Sequence, residues 1–205
     1  MIAIIDYGVG NIFSLMSSLK VIGADAVLTN DIETIEKSDR IILPGVGAFS
    51  DAIRLLRESG LDKVVISESK KGKPLFGICL GMQLLFEKSY EYGEHQGLGL
   101  IKGSIKPIKD VIPDEYKIPQ MGWNSLAFPE NKEKHPLFKY INEGDFVYFV
   151  HSYYGADCDE SLIASTEYGA DITAAVANGN VCGTQFHPEK SGDIGLNILR
   201  AFCEI

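Results

Sequence analysis

Pro74-Leu75-Phe76-Gly77-Ile78-Cys79-Leu80-Gly81-Met82-Gln83-Leu84-Leu85-Phe86 decides the fold. Its first half is a short apolar run of the kind that forms a buried strand, and its second half has helical spacing. A cysteine therefore stands on a strand-to-helix turn, flanked by glycines that permit the tight backbone of a nucleophile elbow, with sulfur in place of the usual hydroxyl. At a helix N-terminus a thiolate is favoured by unpaired N–H groups and the helix dipole, and the N–H of Leu80 can face a developing oxyanion.

Working outward toward the N-terminus, Ile2 to Asp6, Ala26 to Leu28, Ile41 to Leu43 and Leu75 to Ile78 read as buried strands. Asn11 to Ile22, Ala48 to Glu58 and Leu61 to Lys70 read as helices between them, so the first half is a βα series and predicts a parallel sheet with helices on both faces. The second half changes character. Leu98 to Pro107, Pro119 to Phe128, Asp145 to Tyr153, Ser161 to Thr166, Asp171 to Ala177 and Asn180 to Phe186 are β-like, with a hairpin turn at Asn178-Gly179. A last helix from Ser191 to Glu204, capped by Ser191, closes the chain. Lys88 to Gln96 and Ile108 to Lys117 read as loops, and Lys70-Lys71-Gly72-Lys73 as a solvated helix end. The class is α/β, mostly parallel, with added antiparallel structure in the C-terminal half.

Composition narrows the function. The 205 residues, 45% hydrophobic, suffice for one substantial core and predict a single domain over 1–205. A net charge of −9 argues against nucleic acid or an anionic membrane as partner. Neither a membrane-length apolar run nor a basic leader is present, so a cytoplasmic protein is expected. Cys79, Cys158, Cys182 and Cys203 form no Cys-x-x-Cys pair, which points away from a disulfide framework or a zinc knuckle. Neither metal nor cofactor is expected: His187-x-Glu189 lacks the Pro-Cys-x-x-Cys of zinc deaminases, and His95, His135 and His151 show no ligand spacing and read as ordinary polar residues.

A nucleophilic thiol needs a base, and the base needs an orienting group. His187 and Glu189, following the strand-like Val181 to Phe186, supply both; residues two apart in extended chain share a face. A lone Cys79 is more simply a core residue and a lone His187 a surface histidine. The glycine-flanked elbow reverses that balance. Two more glycine sites follow strands. Asp6-Tyr7-Gly8-Val9-Gly10-Asn11 fails as a dinucleotide fingerprint because Phe13 stands where the third glycine belongs. Leu43-Pro44-Gly45-Val46-Gly47-Ala48-Phe49 exposes backbone N–H groups suited to an oxyanion, although a plain turn explains it equally well. In a doubly wound sheet both loops gather beside Cys79 at the strand C-termini.

Together with Pro119-Gln120-Met121-Gly122-Trp123-Asn124, His151-Ser152-Tyr153 and Gln185-Phe186-His187-Pro188-Glu189-Lys190-Ser191, these motifs carry a resemblance over nearly the whole length. The chain resembles the class I (triad) glutamine amidotransferases, with their flavodoxin-like fold, and more narrowly the glutaminase subunits of imidazole glycerol phosphate synthases. The resemblance implies that Cys79 attacks the side-chain amide of L-glutamine, that His187 takes the thiol proton and later protonates ammonia, and that Glu189 orients His187. It implies an oxyanion hole from Leu80 and the Gly45-Val46-Gly47 loop, and glutamine recognition by Gln83, Glu91 and the backbone at Ser152 and Tyr153. It also implies a (β/α)8-barrel cyclase partner in a heterodimer that receives the ammonia through a channel for histidine biosynthesis, with Asn11, Met121, Trp123, Tyr148 and Lys190 near the interface.

Val46 stands where many triad amidotransferases have glycine, and a β-branched residue tolerates positive φ badly, so the loop is expected to rest inactive until the partner binds. Three rivals remain: a paralogue feeding ammonia to another synthase such as one amidating a sugar, an α/β cysteine hydrolase acting on peptides or aldehydes, and a binding subunit with a dead site.

Overall fold

Alternation in the first strand sets the layers. Ala3 and Ile5 pack into one apolar cluster while Ile2 and Ile4 pack into another, and all four are buried. The clusters hold 24 and 22 buried residues, so the sheet is covered about equally on both faces, as a parallel sheet requires.

The computed structural model describes residues 1–205. Its first half runs β1 (Ile2–Ile5), α1 (Ile12–Val21), β2 (Ala26–Thr29), α2 (Ile32–Lys37), β3 (Arg40–Gly45), α3 (Phe49–Glu58), α4 (Leu61–Lys70), β4 (Leu75–Cys79) and α5 (Leu80–Leu84). The second half runs β5 (Phe86–Ser89), β6 (His95–Gln96), β7 (Ile101–Pro107), β8 (Gln120–Ser125), β9 (Phe146–His151), β10 (Tyr153–Ala156), β11 (Leu162–Glu167), β12 (Asp171–Asn178), β13 (Val181–Thr184) and α6 (Gly192–Glu204). The main sheet has the order β11-β12-β13-β4-β3-β1-β2. Its strands from β13 to β2 are parallel, and β12 and β11 extend it antiparallel. The order 2-1-3-4 in its parallel part is that of flavodoxin-like folds, in which ligands bind beyond the carboxyl ends of the strands. A smaller sheet, β10-β7-β5-β6, and the β8–β9 ribbon lie beside it.

Helix faces follow from spacing. In α3 the buried positions Phe49, Ala52, Ile53 and Leu56 recur at i, i+3, i+4 and i+7. Each fully buried side chain of this kind contributes about 1.5–3 kcal/mol.

Several expectations are corrected. The helix α2 was not foreseen because six residues with one buried side chain, Ile35, carry too little periodicity. Its start was legible in the Asp31 cap, whose carboxylate accepts from the Thr34 amide at 2.9 Å. The helical spacing from Leu80 to Phe86 overran the helix, which stops at Leu84 because Phe86 already pairs in β5. The Lys88 to Gln96 loop contains β6, and Ile108 to Asp110 form a 3-10 turn that buries Ile108. Lys70, Lys71 and Gly72 form an exposed helix end, but Lys73 is largely buried, and Lys71 and Lys73 both pair with the buried carboxylate of Glu68, at 2.6 and 2.7 Å. Ser191 stands at the N-cap of α6, but its side chain makes no capping bond; its hydroxyl donates to the His187 carbonyl at 2.7 Å and accepts from the Tyr148 amide at 3.0 Å.

Candidate active site

The carboxyl ends of β1, β3, β4 and β13 bring the sequence motifs together. At the end of β4, Cys79 has φ 54° and ψ −113°, a left-handed conformation on a non-glycine residue. Such strain persists only where the surroundings hold it. The flanking glycines serve close approach rather than the turn itself. A Cβ on Gly81 would lie 1.9 Å from the Leu43 carbonyl oxygen, and one on Gly77 would lie 2.8 Å from the Gly81 oxygen. Two bare backbones therefore let α5 rest directly on β3 and β4, with its unpaired first N–H groups beside the thiol.

His187 follows β13, which pairs in parallel with β4. Its amide donates to the Tyr148 carbonyl at 3.0 Å, and the Ser191 hydroxyl holds its own carbonyl, so ribbon and helix fix the ring from both sides. Nδ1 lies 2.8 Å from the Glu189 carboxylate, and both side chains are buried. Burial disfavours the charged ring, but the hydrogen bonds and negative charge of Cys79 and Glu189 outweigh it and push His187 up to about 10. The other Glu189 oxygen has no hydrogen-bond partner although it is buried. The remaining cysteines differ: burial alone pushes Cys182 up to about 12, and burial also raises Cys158 and Cys203.

On the side of the 45–47 loop, a Cβ on Gly45 would meet the Gly81 amide at 2.7 Å and the Tyr7 hydroxyl at 2.9 Å. Tyr7 donates to the Pro44 carbonyl at 2.7 Å, and burial pushes its phenol up. The base of the loop is thereby pinned. Its tip is not: Val46 is 39% exposed, and Gly47 sits at φ +95° with open space around it. The positive φ falls on Gly47 and not on Val46, in keeping with the valine's poor tolerance of that region.

Cys79, Leu80, His187, Gln83, Glu91, Ser152, Tyr153, Val46 and Gly47 all line one cleft of about 630 Å³. Gln83 donates to the Tyr153 carbonyl at 3.2 Å and to Gln185 at 3.0 Å. A Glu91 carboxylate oxygen accepts from the Phe49 amide at the start of α3, and burial raises this group. Asn11, Met121, Trp123, Tyr148 and Lys190 lie outside the cleft lining. Asn11 donates to Glu189 at 3.3 Å. Met121 and Trp123 are 63% and 53% exposed on β8, with the Trp123 ring edge-on to Tyr148 and Lys190 over the Tyr148 face.

Two side chains were missed. Gln185 lies in the quoted motif yet was given no part; its amide reaches the Cys79 sulfur at 3.8 Å. His151 is buried, bonded at Nδ1 to the Tyr153 carbonyl (2.8 Å) and at Nε2 to Gln120 (2.9 Å). Its apolar neighbours in Phe146 to Val150 were the available signal.

The model of the class-I glutamine amidotransferases matches residues 3–204. The imidazole glycerol phosphate synthase subunit HisH of Wolinella succinogenes is 48% identical, with all of both chains covered. The HisH of Oceanobacillus iheyensis is 49% identical over all of this chain and 99% of its own, and one from Bacillus cereus is 52% identical over 98% and 93%. The chain belongs to the HisH family of class-I glutamine amidotransferases. The fold of this wider group is matched by a glutamine amidotransferase crystal structure at TM-score 0.76 and 21% identity, covering 98% of this chain and 97% of that one. PurLQS from Thermotoga maritima matches at 0.73 and 19%, covering 99% and 97%. The exposed Met121 and Trp123 lie on a strand whose neighbour, β9, ends at the cleft residue His151.

Proposed function

We propose that this chain, as one domain over residues 1–205, is the glutaminase subunit of an imidazole glycerol phosphate synthase. It releases ammonia from L-glutamine for a (β/α)8-barrel cyclase subunit in histidine biosynthesis. The thiol Cys79, the buried His187–Glu189 pair and the cleft joining them to Gln83, Glu91 and the Ser152–Tyr153 backbone carry the chemistry.

In this reading the Cys79 sulfur attacks the amide carbon of glutamine, and the Leu80 amide with an N–H from the 45–47 loop receives the oxyanion. His187 takes the thiol proton as the sulfur attacks and gives it to the departing ammonia. The neutral ring then takes a proton from the water that hydrolyses the γ-glutamyl thioester, and glutamate leaves. Glu189 holds the Nδ1 proton throughout, and Asn11 steadies Glu189. Gly45 and Tyr7 fix one end of the oxyanion loop, so its Val46–Gly47 tip is free to rotate toward the cleft when a cyclase covers Met121 and Trp123.

The carrying observation is the buried His187 bonded at Nδ1 to Glu189 at 2.8 Å and lining one cleft with Cys79. A glutamine-analogue affinity label is expected to modify Cys79 alone, seen by peptide mass, and excess glutamine to protect it. Labelling spread over Cys158, Cys182 and Cys203, or none at all, contradicts the proposal.

A further inference from the structure

We infer that His151 is a positioning residue whose ring proton is contested between the Tyr153 carbonyl in the glutamine cleft and Gln120 on β8, so that disturbing β8 tightens the cleft. The inference rests on the glutamine reading above.

The argument is a count of protons. Asn124 Nδ2 donates to the Glu167 carbonyl at 3.3 Å, and Gln120 Nε2 donates to Asn124 Oδ1 at 3.2 Å. A backbone carbonyl can only accept, so this chain has a fixed direction and leaves Gln120 Oε1, an acceptor, 2.9 Å from His151 Nε2. The other ring nitrogen faces a second obligatory acceptor, the Tyr153 carbonyl, at 2.8 Å. Both contacts need a proton from the ring. The ring is neutral, because burial and, against the Tyr153 bond, the nearby His187 charge hold it at about 4. One proton therefore serves two acceptors.

The fully buried Gln120 decides where it sits in the free chain. The Tyr153 carbonyl already accepts from Gln83 at 3.2 Å, whereas Gln120 Oε1 has His151 as its donor and is cut off from water. An unsatisfied buried oxygen is the costlier loss, so the proton belongs on Nε2. The Nδ1 lone pair then faces the Tyr153 oxygen and loosens the cleft backbone. Met121 and Trp123 flank Gln120 and Asn124 on the outward face of the same strand. A partner pressing on that face can move Gln120, free the proton for Nδ1 and fix Tyr153.

The test pairs a tautomer with an affinity. In a Cys79→Ala background, ¹⁵N NMR is expected to show His151 protonated on Nε2, and calorimetry to give a glutamine Kd. Gln120→Met is expected to move the proton to Nδ1 and tighten glutamine about threefold, while His151→Phe weakens it by a similar factor. Asn124→Ala, at a half-exposed position outside the cleft, frees the Gln120 amide to reverse and is expected to act in the same direction as Gln120→Met. General damage to packing cannot tighten binding. A parent ring protonated on Nδ1, or Gln120→Met and Asn124→Ala that bind glutamine no tighter than the parent, overturns the inference. A parent with the Nε2 tautomer that binds no glutamine overturns the glutamine reading and the coupling built on it, while leaving the proton count intact.

Discussion

The two sides of the cleft are built differently. On the nucleophile side, Cys79 is held on bare-backbone contacts between α5 and the sheet, and His187 is tied to β9, α6 and Glu189, all of it buried. On the oxyanion side, only the base of the 45–47 loop is pinned, and Val46, Met121 and Trp123 stand in solvent. The difference teaches where control can act. A buried, hydrogen-bonded ion pair is expensive to rearrange, whereas an exposed glycine-hinged tip is not.

The largest break in this contrast is Cys79→Ala, expected to lower glutamine hydrolysis by at least ~10³-fold in a glutamate-release assay while the fold survives. Next comes a pair of identical substitutions on opposite sides. Gly81→Ala, aimed at the Leu43 carbonyl 1.9 Å away, is expected to cost about 3 kcal/mol or more of stability in urea denaturation. Gly47→Ala, in open space at φ +95°, is expected to cost only about 1 kcal/mol. Equal costs would erase the proposed asymmetry.

The ion pair sets a pH dependence. The folded pKa of His187 is raised to about 10 from 6.5, so its stabilising contribution is complete below about pH 6.5 and is lost as pH rises through about 10. The stability gap between the parent and Cys79→Ala is therefore expected to narrow from pH 7 to pH 10. His151 has the opposite sign: its pKa is lowered to about 4, so its contribution is present above about pH 6.5 and fades as pH falls toward 4. The smallest stability effect belongs to Met121→Ala and Trp123→Ala, within about 0.5 kcal/mol in denaturation, yet each is expected to weaken cyclase binding by more than about 1 kcal/mol.

Much of this was legible in the residues because the signals were local. The elbow glycines, the βα alternation and the Gln185 to Ser191 segment each announce themselves within a few positions. The sequence context of the glycines speaks for conformational freedom, however, while the fold uses them for contact with Leu43 and Met82, partners that only the tertiary structure supplies. For the same reason the bonds of Asn11 to Glu189 and of His151 to Gln120, partners 178 and 31 positions away, could not be read from the residues alone. The pairing of Lys71 and Lys73 with Glu68 was hidden by a composition that resembled a solvated end.

The central claim, a complete triad beside an oxyanion loop that waits for its partner, is tested most directly by glutamate release from glutamine. The purified chain is assayed alone and with a cyclase subunit carrying its nucleotide ligand, with Cys79→Ala as control. The account predicts slow release alone, a rise of at least about tenfold with the loaded cyclase, as expected for restoring one oxyanion donor, and none in Cys79→Ala. Full activity in the chain alone would contradict it.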